Sequence, residues 1–167
     1  MNIMNIEIKN LDNLTEDEKE TFNRLIEKAN KKSKVFVLKK NQNYYFITTD
    51  GKIDREIWED VEWDNDLFNL GNCFETKEQA EFAIDKQKVY TELKRYALEH
   101  NEEEIDWNDI DKCKWCITKD CGKLNVYSFY RLQFLNQIYF TSEEIAQNAI
   151  KEIGEDRIKK YLFEVGK

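Results

Sequence analysis

The sequence predicts an α+β protein in which two tandem β-hairpin/meander-plus-helix modules follow an N-terminal helix. One observation is a repeat: residues 45–53 align with residues 115–124 if one residue is inserted beside a turn. Another is a gap-free match between residues 74–84 and residues 140–150. Each copy has an aromatic strand that meets a turn, and later a hydroxyl residue able to cap the helix that follows.

The N-terminal part of the chain predicts a short strand and a helix. Apolar residues alternate within residues 3–8, as in a strand with one buried face. Thr15 and Glu18 have the spacing of a capping box, and an amphipathic pattern then continues to about Lys31. We therefore expect a capped helix ahead of the two modules.

Turns that contain glycine mark the two hairpins. Asp50-Gly51 in the first copy and Asp120-Cys121-Gly122 in the second supply residues that tolerate the positive φ of a tight turn. The interval from this turn to the matched phenylalanine is longer in the first copy, before Phe74, than in the second, before Phe140. We expect the first module to carry an extra loop, which is the acidic stretch 54–66.

Two helices are expected to complete the modules. The first should run from about Lys77 to near His100, roughly 36 Å at 1.5 Å per residue. Its apolar residues form two stripes, so its opening turns should contact structure on two sides. The second should span residues 143–153 and end at Gly154, a left-handed cap, before a last helical or turn segment over 155–163.

These elements divide the chain into four parts. Residues 1–33 hold the N-terminal strand and helix, residues 34–101 the first module, residues 102–111 an acidic linker, and residues 112–167 the second module. With 167 residues, 41% of them hydrophobic, the chain is long enough to bury a sizeable core.

Composition excludes several classes of protein. The longest apolar runs reach four residues and no basic start precedes an apolar stretch, so neither a membrane span nor classical secretion is expected, and the expected location is the cytoplasm. Phosphate-loop, nucleophile-elbow and metalloprotease patterns are absent, and the chain has one histidine, His100. We therefore expect a binding protein without a cofactor rather than an enzyme.

Cys113 and Cys116 have the separation of a zinc knuckle. They fall at the predicted start of a strand, however, where positions i and i+3 point to opposite faces, and a second pair of matching spacing is missing. We expect no metal site, and reduced cysteines that serve as small hydrophobic residues. His100 is interpreted as a cation at a helix C-terminus.

The net charge of −8 is concentrated in two windows. Residues 54–66, the acidic segment, carry seven acids and one arginine among aromatic and aliphatic residues. In one interpretation the carboxylates imitate the charges of a nucleic-acid backbone and bind a Lys- and Arg-rich groove, with tryptophans as anchors. In the other, they form the polar outer face of a strand or loop whose tryptophans close the core. The candidate partner-binding residues are Asp54, Glu56, Trp58, Glu59, Asp60, Glu62, Trp63, Asp64 and Asp66.

The second acidic window, residues 102–111, carries six acids and no base. For this window an acidic linker between the modules, held by Ile105 and Trp107, is favoured over a partner-binding surface. Positive charge is concentrated elsewhere, in the lysine segment, which comprises Lys31, Lys32, Lys34, Lys39 and Lys40. These lysines form an alternative nucleic-acid-binding surface beside aromatic residues. They also fit a positively charged helix end and a strand edge protected by lysine.

Three motifs resemble those of a known group of proteins. They are GNCFETKEQAE at residues 71–81, YFTSEEIA at 139–146 and IGEDRIKKY at 153–161. Over about residues 44–163 the chain resembles small accessory proteins encoded by phages and prophages of AT-rich, mostly Gram-positive bacteria. The resemblance implies a phage context, in which some small acidic proteins inhibit CRISPR or other host defence systems. That link is one of context rather than of motif, and it assigns no functional residue.

The sequence therefore favours a non-enzymatic, phage-encoded inhibitor that binds a host defence protein through the acidic segment, with a CRISPR effector nuclease as the first candidate. Two alternatives stay open. One is an accessory nucleic-acid-binding protein of phage replication that uses the lysine segment. The other is a structural or assembly protein whose repeat mediates self-association.

Overall fold

The computed structural model describes residues 14–30 and 36–164, with side chains given for 14–26 and 36–164. The chain consists of two compact units, Met1–Leu38 and Lys39–Lys167. Five helices and two small antiparallel sheets in the described residues make an α+β fold, as the sequence predicts. The elements are α1 (Glu16–Asn30), β1 (Asn43–Ile47), β2 (Ile53–Ile57), α2 (Glu62–Asn69), α3 (Lys77–His100), β3 (Lys114–Asp120), β4 (Lys123–Phe129), β5 (Tyr139–Phe140), α4 (Glu143–Ile153) and α5 (Glu155–Leu162).

Helix α1 begins with the capping box that the sequence predicts. The backbone N–H of Glu18 donates to Thr15 Oγ1 at 3.4 Å, and the backbone N–H of Thr15 donates to Glu18 Oε2 at 2.8 Å. The bonds from Thr15 lower the pKa of the Glu18 carboxyl. Helix α1 extends to Asn30, the last described residue before the predicted end near Lys31. The strand expected at residues 3–8 lies outside the described residues.

Both hairpins use the predicted turns. Strands β1 and β2 pair antiparallel around Gly51, which adopts its φ of +76° without strain because glycine has no Cβ. Strands β3 and β4 are joined by two residues, Cys121 and Gly122, with φ of +47° and +80°. Two successive positive φ values belong to a type I′ turn, whose twist matches that of the paired strands.

The repeat is confirmed by strand pairing. Tyr45 of β1 forms an antiparallel bridge with Phe74, and Trp115 of β3 pairs with Phe140 of β5. These are the residues that the sequence alignment superimposes. In each module, therefore, the first strand lies between the second strand and a short third segment that leads directly into the helix.

The module helices have equivalent N-caps. Thr76 Oγ1 accepts from the backbone N–H of Gln79 at 3.3 Å, and Ser142 Oγ accepts from that of Ile145 at 3.2 Å. A hydroxyl at the N-cap satisfies a backbone donor that the first helical turn leaves without a partner. The observed bounds of α3 and α4 agree with the predicted ones, and α4 ends at Gly154, whose φ is +99°.

Replacing Ser142 with alanine should lower the free energy of unfolding by about 1 kcal/mol, because the Ile145 N–H loses its acceptor. Urea denaturation followed by circular dichroism measures this difference. Ser142→Thr retains an oxygen acceptor and should change the stability by only about a few tenths of a kcal/mol. An equal loss in both variants would contradict the capping role.

The main core lies where α3 meets the second module. Helix α3 contacts β1 and β2 as well as α4 and α5. Its buried face packs with β3, β5, α4 and α5 through a cluster whose fully enclosed members include Val89, Phe140 and Ile158. Arg157 adds a two-point ion pair to Glu92, at 2.8 and 2.9 Å, between α5 and α3.

No helix in the described residues has both the length and the apolar character needed to cross a membrane.

Candidate functional site

The acidic segment is not the extra loop that the sequence predicts. Residues 53–57 form strand β2, paired along its length with β1, and residues 62–69 form helix α2. Only the short connection 58–61 is irregular. Backbone pairing with β1 makes residues 53–57 a strand, and α2 packs on the module through the rings of Trp63 and Phe68. Five of the seven acids therefore lie in β2 or α2, and Glu59 and Asp60 lie in the connection.

The two pieces of the segment meet on one face of the first hairpin. Asp54 lies opposite Phe46 and Glu56 opposite Tyr44 in the β1–β2 register, and directly opposed residues share a face. The rings of Phe46 and Trp63 are 5.1 Å apart and perpendicular, so α2 packs on this same face. Strand and helix carboxylates are thus brought to one side of the first module.

Six of the seven carboxylates in the segment are exposed. None of them forms an ion pair within 4.0 Å of a basic group in the described part of the chain. Their hydrogen bonds are local, such as that from the Asn65 side chain to Asp60 Oδ1 at 3.2 Å. The exposed carboxylates, which together with Trp63 we call the acidic surface, are Asp54, Glu56, Glu59, Asp60, Glu62 and Asp66.

Apolar side chains are exposed among these charges. Trp63 is 47% exposed although one side of its ring contacts Phe46. Ile57 and Val61 are exposed to a similar extent, at 45% and 47%. A half-exposed tryptophan on a packed scaffold is the kind of side chain that anchors protein interfaces.

Two of the nine candidate residues are not available to a partner. Trp58 is 7% exposed and packs edge-on against the rings of Tyr44 and Phe68. Asp64 is 1% exposed, and its carboxylate is turned into the module. Their burial is a correction to the sequence interpretation, because both residues build the scaffold instead of the surface.

Asp64 fixes the shape of the segment through three hydrogen bonds. Its Oδ1 accepts from the Tyr44 hydroxyl at 2.8 Å, and its Oδ2 accepts from the backbone N–H groups of Glu59 and Val61 at 2.8 and 3.4 Å. Burial by itself would raise the pKa of Asp64, but these bonds favour the ionised form and the net pKa is lowered. Burial, and then the bond to Asp64, raise the pKa of Tyr44. The connection 58–61 is therefore held from inside.

Sequence reasoning missed this role of Asp64, although a signal for it exists. Asp64 is the third residue of α2, and an acid at this position reaches back to the backbone N–H of the N-cap residue. The N-cap itself is Val61, which has no hydroxyl, so a search for a capping box beginning with Ser or Thr passes over it.

The acidic linker, residues 102–111, differs from the acidic surface because a lysine pairs with carboxylates in it. Lys112 pairs with Glu103 at 2.6 Å and approaches Asp109 at 4.0 Å. The buried Lys114 donates to the backbone carbonyls of Asp109 and Lys112. Trp107 packs edge-on against Tyr139 at 4.8 Å. This arrangement agrees with a linker attached to the second module.

The lysine segment is described only in part. Lys39 and Lys40 are exposed ahead of β1. Lys31, Lys32 and Lys34 lie outside the described residues.

The structure also shows the surroundings of His100 and of a cysteine from the candidate zinc pair, Cys116. His100 Nδ1 is 2.9 Å from the carbonyl oxygen of Tyr96, and its ring stacks on that tyrosine. Cys116 is buried in β3, and burial raises the pKa of its thiol to about 11. Among the described residues, no three His, Cys, Asp or Glu side chains converge as a metal-ligand set.

A groove of about 630 Å³ lies along α3 beside α5 and residues 135–138. Its lining is mainly aliphatic and aromatic, and its ionisable members are Lys86 and Tyr90. Lys86 pairs with Glu164 at 2.9 Å. The lining supplies no carboxylate, imidazole or thiol for general acid–base or nucleophilic chemistry.

No protein-family model, curated protein or solved structure matches this chain.

Proposed function

We propose that the protein is a non-enzymatic, phage-encoded inhibitor that binds a host defence protein through the acidic surface, with a CRISPR effector nuclease in the host cytoplasm as the first candidate. The observation that carries the proposal is a set of six exposed carboxylates, none of them paired with a basic group in the described residues, together with the half-exposed Trp63. The sequence resemblance to phage accessory proteins supports the class of host target.

The charge arrangement supports a cationic groove as the partner's site. Two of these carboxylates lie on β2 and two on α2, and the bonds of Asp64 hold the backbone of the connection that carries the other two. A scaffold held in this way loses little conformational entropy when it binds. Lys and Arg side chains that normally contact phosphates would meet carboxylates instead. Such opposed charges speed association and favour the matching partner over others.

Trp63 supports an interface with more than electrostatic character. An exposed indole, with the exposed Val61 two residues before it in the chain, offers apolar area that a partner can enclose. Tryptophan is enriched among residues that contribute most to binding, and surrounding charges then form the polar rim. The acidic surface therefore contains an apolar anchor and a charged rim, the two components of a protein-binding site.

Neutralising part of the acidic surface should weaken binding. In Glu59→Gln/Asp60→Asn/Glu62→Gln, affinity for a guide-loaded CRISPR effector nuclease should fall by about tenfold or more, a loss of about 1.4 kcal/mol or more. Biolayer interferometry between 50 and 500 mM salt, about the range over which screening becomes strong, measures affinity, and a DNA-cleavage assay measures inhibition. Wild-type affinity should fall with salt more steeply than that of the variant.

A matched control has the same change in net charge at a different place. Glu75→Gln/Glu99→Gln/Glu152→Gln neutralises three exposed carboxylates outside both acidic windows and should keep wild-type affinity. Equal weakening by both variants, or affinity that neither salt nor substitution changes, would rule out charge mimicry. A gel shift of DNA or RNA by the protein alone would instead favour the lysine segment as the functional surface.

A further inference from the structure

The second module ends in an open sheet edge. Its strands lie in the order β4-β3-β5, so β4 has a partner on one side only among the described residues. Strand β4 is seven residues long and contains neither proline nor glycine. An unprotected strand of this kind is a template for pairing with a further strand.

The turn geometry identifies the backbone groups that face outward. Asp120 and Lys123 close a two-residue type I′ turn, and residues that close such a turn are hydrogen-bonded to each other. Alternation then directs Asn125 toward β3, in agreement with the 3.4 Å bond from Thr118 Oγ1 to the Asn125 carbonyl. The N–H and C=O groups of Leu124, Val126 and Ser128 therefore point to the open edge.

The corresponding edge strand in the first module is protected against pairing, unlike β4. Strand β2 is the equivalent of β4 and carries three charged residues in succession, Asp54, Arg55 and Glu56. Charges on an edge strand oppose pairing with another chain. Strand β4 has one charge, Lys123, next to the turn. The repeat thus has one edge that resists pairing and one that does not.

Exposed apolar side chains accompany the open edge. Tyr127 on β4 is 47% exposed, and Tyr130 and Leu132 immediately after the strand are 51% and 59% exposed. They supply area that strand pairing with another chain can cover.

We propose that β4 pairs antiparallel with β4 of a second copy of this chain, centred on Val126. In this register Val126 faces its own equivalent, and Leu124 faces Ser128 of the second copy. Registers shifted by two residues leave one of the three outward residues without an opposite hydrogen-bonded residue, so the Val126-centred register alone uses all of them. The two three-stranded sheets become one continuous sheet.

The charges and side chains of β4 suit pairing with itself. Centring on Val126 separates the two Lys123 side chains by roughly 20 Å along the strands, so no like charges face each other. Each Lys123 lies opposite Phe129 of the second copy, and Asn125 lies opposite Tyr127. The symmetry is that of an isologous dimer, the commonest form of soluble oligomer.

Light scattering with size-exclusion chromatography, and sedimentation over a concentration series, test the proposal. The wild-type protein should reach twice the chain mass of 20.2 kDa at high concentration. Asn125→Lys/Tyr127→Lys places two ammonium groups opposite each other at both ends of the pair and should raise the dimer dissociation constant by about tenfold or more. Asn125→Lys/Tyr127→Glu makes these contacts attractive and should restore the dimer.

The pair of variants distinguishes pairing through β4 from self-association through a different surface of the protein. The two variants share N125K, and circular dichroism verifies that both are folded. A wild-type protein that stays monomeric, a dimer that N125K/Y127K leaves intact, or a dimer that N125K/Y127E fails to restore would each overturn the proposal.

Hydrogen exchange provides a local readout, since the amides of Leu124, Val126 and Ser128 should be protected in the dimer only. Protection that appears only when a defence protein is added would assign the edge to that partner instead and also overturn the proposal.

Discussion

Replacing Phe140 with alanine should lower the free energy of unfolding by about 3–5 kcal/mol, a large part of the roughly 5–15 kcal/mol that stabilises a domain. Phe140 is fully buried and belongs to the core formed by α3, β3, α4 and α5. It also lies in the two-residue strand β5, paired with Trp115. Truncation would leave a cavity beneath the start of α4, which these surrounding elements could fill only in part. Urea denaturation followed by circular dichroism measures the loss.

The repeat supplies a matched control at Phe74. This residue occupies the aligned position and makes the equivalent bridge to Tyr45, but it is only partly buried. Phe74→Ala should therefore cost less, about 1–2 kcal/mol, since less apolar area leaves water there on folding. Equal losses at the two positions would contradict the assignment of the main core to the second module.

The elements that local signals determine were predictable from sequence. Thr76 and Ser142 cap α3 and α4 at the predicted positions because a hydroxyl before a helical pattern acts within one turn of chain. Gly154 ends α4 for a similarly local reason. The internal alignment also placed Phe74 and Phe140 at equivalent strand ends, because equivalent sequences adopt equivalent local structure.

The acidic segment was predicted less well because its structure depends on distant contacts. Helix α2 is stabilised by Asp64, whose hydroxyl partner, Tyr44, lies twenty residues earlier in the chain. Composition indicates a cluster of acids but cannot identify which carboxylate is turned inward. Trp58 is buried for the same kind of reason, since its partners Tyr44 and Phe68 come from β1 and α2.

The open edge of β4 was also beyond sequence reasoning. The predicted hairpin makes β4 a strand, but strand order decides whether it is central or at an edge. That order depends on Trp115 pairing with Phe140 on the far side of β3. The absence of charge from Leu124 to Phe129 becomes meaningful only once the edge is known.

Asp64→Asn should lower the free energy of unfolding by about 2–3 kcal/mol, although the amide has nearly the same shape as the carboxylate. In the wild type, Oδ1 accepts from Tyr44 and Oδ2 accepts from the N–H groups of Glu59 and Val61. An amide has one oxygen: if that oxygen faces Tyr44, the NH₂ group faces the backbone N–H groups, and if it faces the backbone, the Tyr44 O–H loses its acceptor. A buried donor left without an acceptor costs more than the lost bond itself.

Asp66→Asn is the matched control, because Asp66 lies in the same helix but is exposed. The free energy of unfolding of this variant should stay within about 0.5 kcal/mol of the wild-type value.

The pH dependence of stability tests why Asp64→Asn loses stability. Because the fold lowers the pKa of Asp64, its contribution is complete above the ordinary aspartate value of about 3.9 and is lost as the pH falls through the lower folded value. Urea denaturation of the wild type and D64N should therefore give a stability difference that is largest near neutral pH and narrows below about pH 4. A difference that is constant over this range would show that the carboxylate charge is not what stabilises the acidic segment.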